Sequence, residues 1–486
     1  MNLFTLPGLA FWGYLIILIG IAFASARFSS QGMSEYFVGG RRMNRFVVAV
    51  STVVSGRSAW LLLGMTGMAY TRGLSAIWAV VGYIAVEYAL IFFYAPRLRR
   101  FTEARDCITI PDFFAARFHD RSGILRGLLI LIILMFMTGY VSAQFVAGGK
   151  AFSAGFGSTL STGVLFTAFF VFSYTMIGGF LAVSLSDTFQ GILMLFALLA
   201  LPLLAIINFG GFSETFTALV AMDATLDPFA ISFGAALGFV GIGLGSPGSP
   251  HILIRFMSVD DPRQLRYVAH VGTLWNVLMA LGAVAIGILG KLYFTDVSML
   301  PGADTEQLFP ELARQLLHPF LFGLILAAIF AAIMSTADSQ LLVAASGLVR
   351  DLYEKMFQRG DAIPQRTMVL YSRLAVTMLV VLSTALALIA EELVFWLVLF
   401  AWAGMGASIG PTSILALYWK RTTRAGVIAG LVSGTLTAIL WYLTPALKGV
   451  LYELIPAFLV SLVVTVLVSL ATQPPDDADD MFEEMH

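Results

Sequence analysis

Arg57 stands in the middle of a hydrophobic span, in the run Ser51-Thr52-Val53-Val54-Ser55-Gly56-Arg57-Ser58-Ala59-Trp60. A charge at membrane depth costs about 3 kcal/mol or more, so such residues face a cavity, a substrate path or a partner charge. Its guanidinium has three uses: pairing with an acid, gripping a carboxylate as a two-pronged fork, or standing in for a bound cation. The Ser55-Gly56 step beside it weakens the helix where unwound backbone would be needed to bind something. Further along, Ser335, Asp338 and Ser339 have i, i+3, i+4 spacing and share a helix face. A carboxylate there can bind a cation, carry a proton or neutralise Arg57. Pairing of Arg57 with Asp338 or Asp187 is the preferred expectation, and Glu87 is a further partner unless it only packs against a polar neighbour.

These residues need a scaffold, and the composition says what kind. The chain has 486 residues, 59% hydrophobic and 12% charged, and a mean hydropathy of +0.89. Soluble proteins carry about twice that charge fraction. The apolar runs are about 20 residues long and recur throughout, as bilayer spans require. An all-α polytopic membrane protein follows, with thirteen spans at about 8–26, 46–71, 75–95, 125–148, 160–180, 185–208, 229–250, 268–290, 318–345, 370–390, 393–418, 425–443 and 450–471.

Of the 28 Lys and Arg residues, the loops after spans 1, 3, 7, 9 and 11 hold most; the opposite loops hold only Arg72, Lys150, Lys291, Arg314 and Lys448. That bias puts the N-terminus outside and the C-terminus in the cytoplasm. No Lys or Arg precedes the first apolar run, so it does not read as a cleavable leader. Residues 1–472 read as one transmembrane domain, and 473–486 as an acidic, disordered cytoplasmic tail. Cys107 is the only cysteine and the five histidines are scattered, which argues against a disulfide framework or a metal centre. The net charge of -1 and the lack of a basic cluster give no sign of nucleic acid.

Two spans are interrupted by small residues and stand five apart. Span 2 carries Ser55-Gly56, and span 7 carries Gly241-Ile242-Gly243-Leu244-Gly245-Ser246-Pro247-Gly248-Ser249-Pro250. An odd offset gives them opposite directions. Paired broken helices point to an inverted-repeat transporter with a midplane site. Gly-rich packing faces are the alternative, but Pro247 and Pro250 break helices rather than pack them.

Several ordered stretches resemble the sodium/solute symporter family, above all its sodium/proline symporter branch. They are Ser58-Ala59-Trp60-Leu61-Leu62-Leu63-Gly64, Ile110-Pro111-Asp112-Phe113-Phe114 and Gly178-Gly179-Phe180-Leu181-Ala182-Val183-Ser184, then Asp187-Thr188. Pro250-His251-Ile252-Leu253, Arg255-Phe256-Met257, Met334-Ser335-Thr336 and Ala401-Trp402-Ala403-Gly404 follow, so that the similarity runs from about residue 35 to 465. The resemblance implies a LeuT-type inverted repeat, spans 2–6 and 7–11, with one extra helix before it and two after.

It also implies a sodium site between the span 2 break and span 9, formed by the carbonyls of Val54, Arg57 and Ala332 and the hydroxyls of Ser335 and Thr336. Asp187, Asp338 and Ser339 match positions that form an additional sodium site in sialic-acid-transporting relatives; the alternative for Asp187 is a helix N-cap after span 5. The implied substrate pocket takes Ser58, Ala59 and Trp60 from span 2, Tyr140 from span 4, and Ile242, Gly245 and Ser246 from span 7. The sequence departs from the proline branch at the site: Gly56-Arg57 replaces Asp-Met, Ile242 replaces a tryptophan, Ser246-Pro247 replaces Tyr-Phe, and Ser249 replaces Gln.

The expected function is therefore secondary active import of a small organic solute, an amino acid such as proline or another carboxylate. Coupling to sodium, the one ion partner, proceeds by alternating access in a bacterial inner membrane. The alternatives are a sodium-independent or proton-coupled carrier, or a solute-binding membrane sensor in which Arg57 replaces the ion. No nucleophile-base pair or cofactor loop suggests an enzyme.

Overall fold

The computed structural model describes residues 5–29, 33–222, 225–357, 365–390 and 393–485. Apart from one isolated bridge between Met43 and Val259, the regular structure among them is helical. The principal helices are α1 (Leu6–Ser29), α2 (Arg45–Ala59), α3 (Ile77–Ala89), α4 (Ile124–Phe156), α5 (Leu160–Asn208), α6 (Phe233–Gly241) and α7 (Pro250–Ser258). They continue as α8 (Leu265–Tyr293), α9 (Pro319–Ser346), α10 (Gln365–Ile389), α11 (Val394–Tyr418), α12 (Arg424–Tyr442), α13 (Leu454–Ala471) and the short α14 (Ala478–Glu483).

Local sequence explains many of the starts. Asn44, Thr159, Ser232 and Thr423 cap α2, α5, α6 and α12, each accepting a backbone N–H with its side chain. Pro250 and Pro319 occupy first turns, where no intrahelical N–H is needed.

Among the described residues, eleven helical stretches are long and apolar enough to cross a membrane, or twelve if the bent pair Phe233–Gly248 and Pro250–Ser258 is one span. The most apolar windows of the stretches containing α9 and α11 are 83% buried, against 33% for α12 and 39% for α13. With no water to bury from inside lipid, this contrast separates helices wrapped by protein from those facing acyl chains. The centre of the bundle is thus α9 and α11, with the broken α2 and α6–α7 beside them.

Three expectations need correction. Span 7 does not end near residue 250: helix resumes at Pro250 and runs to Ser258, bent by 52°. Arg255, assigned by sequence to a loop, is consequently buried to 1% exposure. Asp187 is not an N-cap. The α5 helix kinks at Gly179 (φ 64°), where a glycine meets no Cβ penalty, and Asp187 lies well inside the following helical half, fully buried.

The tail is not disordered either: it forms α14, with Met481, Phe482 and Met485 buried. His119–Asp477 and Arg105–Glu484 ion pairs at 2.8 Å, and Lys420–Asp479 at 2.5 Å, fasten it. Its acidic composition concealed an apolar stripe, which packs beside the Arg117 guanidinium. His486 lies outside the described residues.

Candidate functional site

The α2 helix breaks at Ser58, whose backbone adopts φ 39°, ψ −173°. A positive φ in a non-glycine residue costs about 1–3 kcal/mol and persists only where surroundings impose it. Two residues one turn apart on α4 do so: Gln144 Oε1 accepts the Ala59 N–H at 3.1 Å, and the Tyr140 and Ser58 hydroxyls lie 3.3 Å apart. The Trp60 N–H finds Ser58 Oγ at 3.1 Å.

The second break follows the 3₁₀ segment Ile242–Gly248, which packs against α11. A Cβ on Gly245 would come within 1.9 Å of Trp402 Nε1, so only glycine lets α11 approach this closely. Trp402 Nε1–H donates to the Ile242 carbonyl at 2.8 Å, satisfying one acceptor exposed by the break.

Two buried charge clusters flank α2. In the first, Arg57 pairs with Glu87 of α3 and stacks over the Tyr83 ring, with its Cζ 3.9 Å from the centroid. Glu87 is held in turn by Asn276 Nδ2 at 2.8 Å and the Ser246 hydroxyl at 3.4 Å. A cleft of about 20 Å³, room for one water, is lined by Gly56, Arg57, Trp60, Tyr83, Tyr140, Ile242, Val398, Leu399 and Trp402.

In the second cluster, Arg255 of α7 meets Asp187 Oδ2 at 2.8 Å, Ser51 Oγ at 2.7 Å and Ser339 Oγ at 2.6 Å. Ser51 and Ser55 also donate to Asp187 Oδ2, at 2.6 and 3.3 Å. Asp338 accepts from Ser339 at 3.4 Å, while Asp187 Oδ1 and Asp338 Oδ2 have no protein partner. Between the clusters, α9 is stitched to α2: Thr336 Oγ1 donates to the Ser55 carbonyl at 2.9 Å, and Ser55 Oγ to the Ser335 carbonyl at 3.0 Å.

Two broken helices crossing a mostly helical, apolar bundle beside buried charges suit carriage of a solute across a membrane. The sodium:solute symporter family model matches residues 36–434. This chain belongs to that family. Sodium/proline symporters from two strains of Staphylococcus aureus are 40% identical to it over 479 residues, covering 95% of this chain and 92% of theirs. Among solved structures, a substrate-bound, outward-open Na+-coupled sialic acid symporter superposes with a TM-score of 0.82 at 20% identity, covering 97% of this chain and 99% of that one. A nucleobase-cation-symport-1 family transporter in a closed conformation gives 0.57 at 15% identity, with 94% and 100% covered. The fold is accordingly that of a LeuT-like transporter. The chain is an integral membrane transporter, not an enzyme.

Within this symporter-family bundle, the sequence-derived residues gather around the α2 break. Val54 and Arg57 lie on α2; Ala332, Ser335 and Thr336 lie on the α9 face bonded to it. At present the Ser335 hydroxyl donates to the Ala332 carbonyl at 3.1 Å, and the Arg57 carbonyl accepts from the Trp60 N–H. Trp60, Tyr140 and Ile242 line the cleft; Ser58 bonds Tyr140, Ala59 bonds Gln144, Gly245 seats Trp402, and Ser246 turns to Glu87.

The preferred partners of Arg57 are corrected. Its acid is Glu87, while Asp187 belongs to Arg255, whose burial the sequence reading missed by placing it in a loop. Asp338 does not neutralise Arg57. Tyr83 and the α11 wall of Val398, Leu399 and Trp402 were also missed. The i, i+4 spacing of Tyr83 and Glu87 carried a signal, and Trp402 sat in a family motif, but nothing marked Val398 or Leu399.

Proposed function

We propose that the chain imports a small organic solute, an amino acid such as proline or another carboxylate, by sodium-coupled symport with alternating access. The observation that carries this reading is the charge imbalance of the second cluster. Two carboxylates and one guanidinium are fully buried together, with two carboxylate oxygens unpartnered. Buried charge left uncompensated is expensive, so the cluster favours a cation. Sodium, a hard cation, takes oxygen ligands of the kinds gathered here.

We assign one sodium to the carbonyls of Val54, Arg57 and Ala332 and the hydroxyls of Ser335 and Thr336, and a second cation position to Asp187, Asp338 and Ser339. An unpaired guanidinium would repel an ion at the α2 break, and pairing of Arg57 with Glu87 removes that repulsion. It also removes the motive for a sensor in which Arg57 replaces the ion. The solute position comprises Ser58, Ala59, Trp60, Tyr140, Ile242, Gly245 and Ser246, with Tyr83 and Trp402 added.

The same reading sets the topology. The stretch Arg45–Ala104 is 60 residues, about 90 Å of helix, and is broken at Gly73 with φ 65°. Divided there, with the bent pair as one span, the bundle crosses thirteen times. Residues 1–472 are one transmembrane domain, the N-terminus is outside, and the tail is on the cytoplasmic side of a bacterial inner membrane.

Proton coupling is the second reading, favoured by the same imbalance, because a proton on Asp338 would also restore neutrality. The test is uptake of labelled L-proline and a panel of amino and carboxylic acids into proteoliposomes. Accumulation driven by an inward sodium gradient and unaffected by a protonophore supports sodium coupling; a response to the proton gradient alone transfers the role to Asp338 as a proton carrier.

A further inference from the structure

Unpaired polar atoms around the cleft are donors, and this says what the solute must bring. Arg57 Nε, Trp60 Nε1 and the Tyr83 hydroxyl are buried with no protein hydrogen-bond partner, and all three residues line the same cleft. A guanidinium N–H and an indole N–H donate only; a phenol can donate. Asn276 Oδ1, an unpartnered acceptor of this cluster, belongs to a residue that backs Glu87 and does not line the cleft. Buried donors left without a partner are costly, so they mark where an acceptor-rich group fits.

We propose that the solute's carboxylate docks on Arg57, Trp60 and Tyr83, with Glu87 as the residue that positions the Arg57 guanidinium. This rests on the carrier reading above and names the group by which the solute is recognised. Glu87 ties down one amino group of the guanidinium, and the Tyr83 ring holds its face, which leaves Nε–H for the ligand. Ile242, Val398 and Leu399 offer apolar contact to the solute's carbon body. The cleft admits no more than a water as it stands, so α6 or α11 must shift outward for a solute to enter.

Charge then links solute to ion. Arg57 and Glu87 already cancel, so an arriving carboxylate brings one uncompensated negative charge. A sodium at the α2 break supplies the opposite charge nearby. Each therefore strengthens the other's binding, by the same factor in either direction.

The test compares each acid with its amide in wild-type protein: L-proline with L-prolinamide and propionate with propionamide, by uptake into proteoliposomes and by thermal stabilisation in detergent. At least one acid is expected to bind and accumulate. Its amide should bind about 100-fold more weakly, as loss of a charged hydrogen-bonded group implies, and only the acid should lower the sodium concentration giving half-maximal stabilisation. Arg57→Lys, Trp60→Phe and Tyr83→Phe should raise KM with a smaller change in kcat; Glu87→Gln should raise KM, and Glu87→Asp should recover part of it.

An amide that binds as well as its acid, or an acid with no effect on sodium affinity, overturns the proposal without any variant having to fold. Failure of both acids to bind overturns it as well. Equal accumulation with and without sodium, with the acid still preferred over the amide, instead overturns sodium coupling and leaves the carboxylate site standing.

Discussion

Arg57, on α2, and Arg255, on the α7 helix packed against it, look alike at first, each almost wholly buried and each paired with a carboxylate from another helix. They differ in what is left over. Around Arg57 the charges cancel and the unpartnered atoms facing the cleft are donors. Around Arg255 a second carboxylate, Asp338, remains, and the unpartnered carboxylate oxygens are acceptors. A polar cluster in a low-dielectric interior thus shows the sign of its missing partner by what it leaves unsatisfied. The first cluster suits an anion and the second a cation, as co-transport of a carboxylate with sodium requires.

The largest expected effect comes from breaking the balance of the first cluster. Arg57→Met or Glu87→Gln alone leaves an uncompensated buried charge and should cost about 3–5 kcal/mol. The double variant should regain most of that stability, while transport is lost with Arg57. Thermal unfolding in detergent with uptake in liposomes reads both; a double variant no more stable than either single one would mean the pair is not what holds these residues.

The second cluster should respond with the opposite asymmetry. Asp187→Asn breaks the Arg255 pair and should destabilise by a similar amount. Asp338→Asn removes the excess charge, so the sodium-free protein should be at least as stable as wild type and lose the stabilisation that added sodium provides. Melting curves with and without NaCl decide this, and equal losses for the two variants would erase the distinction between the clusters.

A smaller effect is expected at the hydroxyls on α9. Replacing Ser335 and Thr336 with Ala should raise the sodium concentration for half-maximal uptake by about tenfold, the scale of one or two lost oxygen contacts. An unchanged requirement would move the ion away from the α2 break.

The smallest effect lies at the tail, outside the bundle. The His119 hydrogen bond lowers the Asp477 pKa from its ordinary value. A carboxylate depressed in the folded state contributes stability above its unfolded pKa and loses it as pH falls through the folded one. Tail docking should therefore hold at neutral pH and loosen below about pH 4. Asp477→Asn should loosen it at neutral pH by under about 1 kcal/mol, since the pair is partly exposed. Limited proteolysis of the C-terminus measures both.

Much of this was legible in the chain itself. A buried arginine, two interrupted spans and the Ser335-Thr336 pair mark the candidate site because each is costly or rare in lipid and so stands out locally. The partners were not legible. Asp187 and Asp338 were preferred over Glu87 for Arg57, and the right choice needs side-chain directions that spacing along one helix does not supply. Arg255 was hidden for a related reason: Pro250 looks like the end of a span, but it starts the second half of a bent one. The tail misled because acidic residues dominate its composition while Met481, Phe482 and Met485 decide its packing.

Sequence alone determined the membrane class, the family and the break in span 7, and came within a turn of the break in α2, which falls at Ser58 rather than Ser55-Gly56, because apolar run length, ordered motifs and glycine or proline interruptions are properties of neighbouring residues. Tertiary structure decided which acid meets which arginine, that α11 closes the cleft, and that one cluster lacks an acceptor while the other lacks a cation. Those are outcomes of helices far apart in the chain packing face to face, where each buried polar atom must find a partner or wait for a ligand.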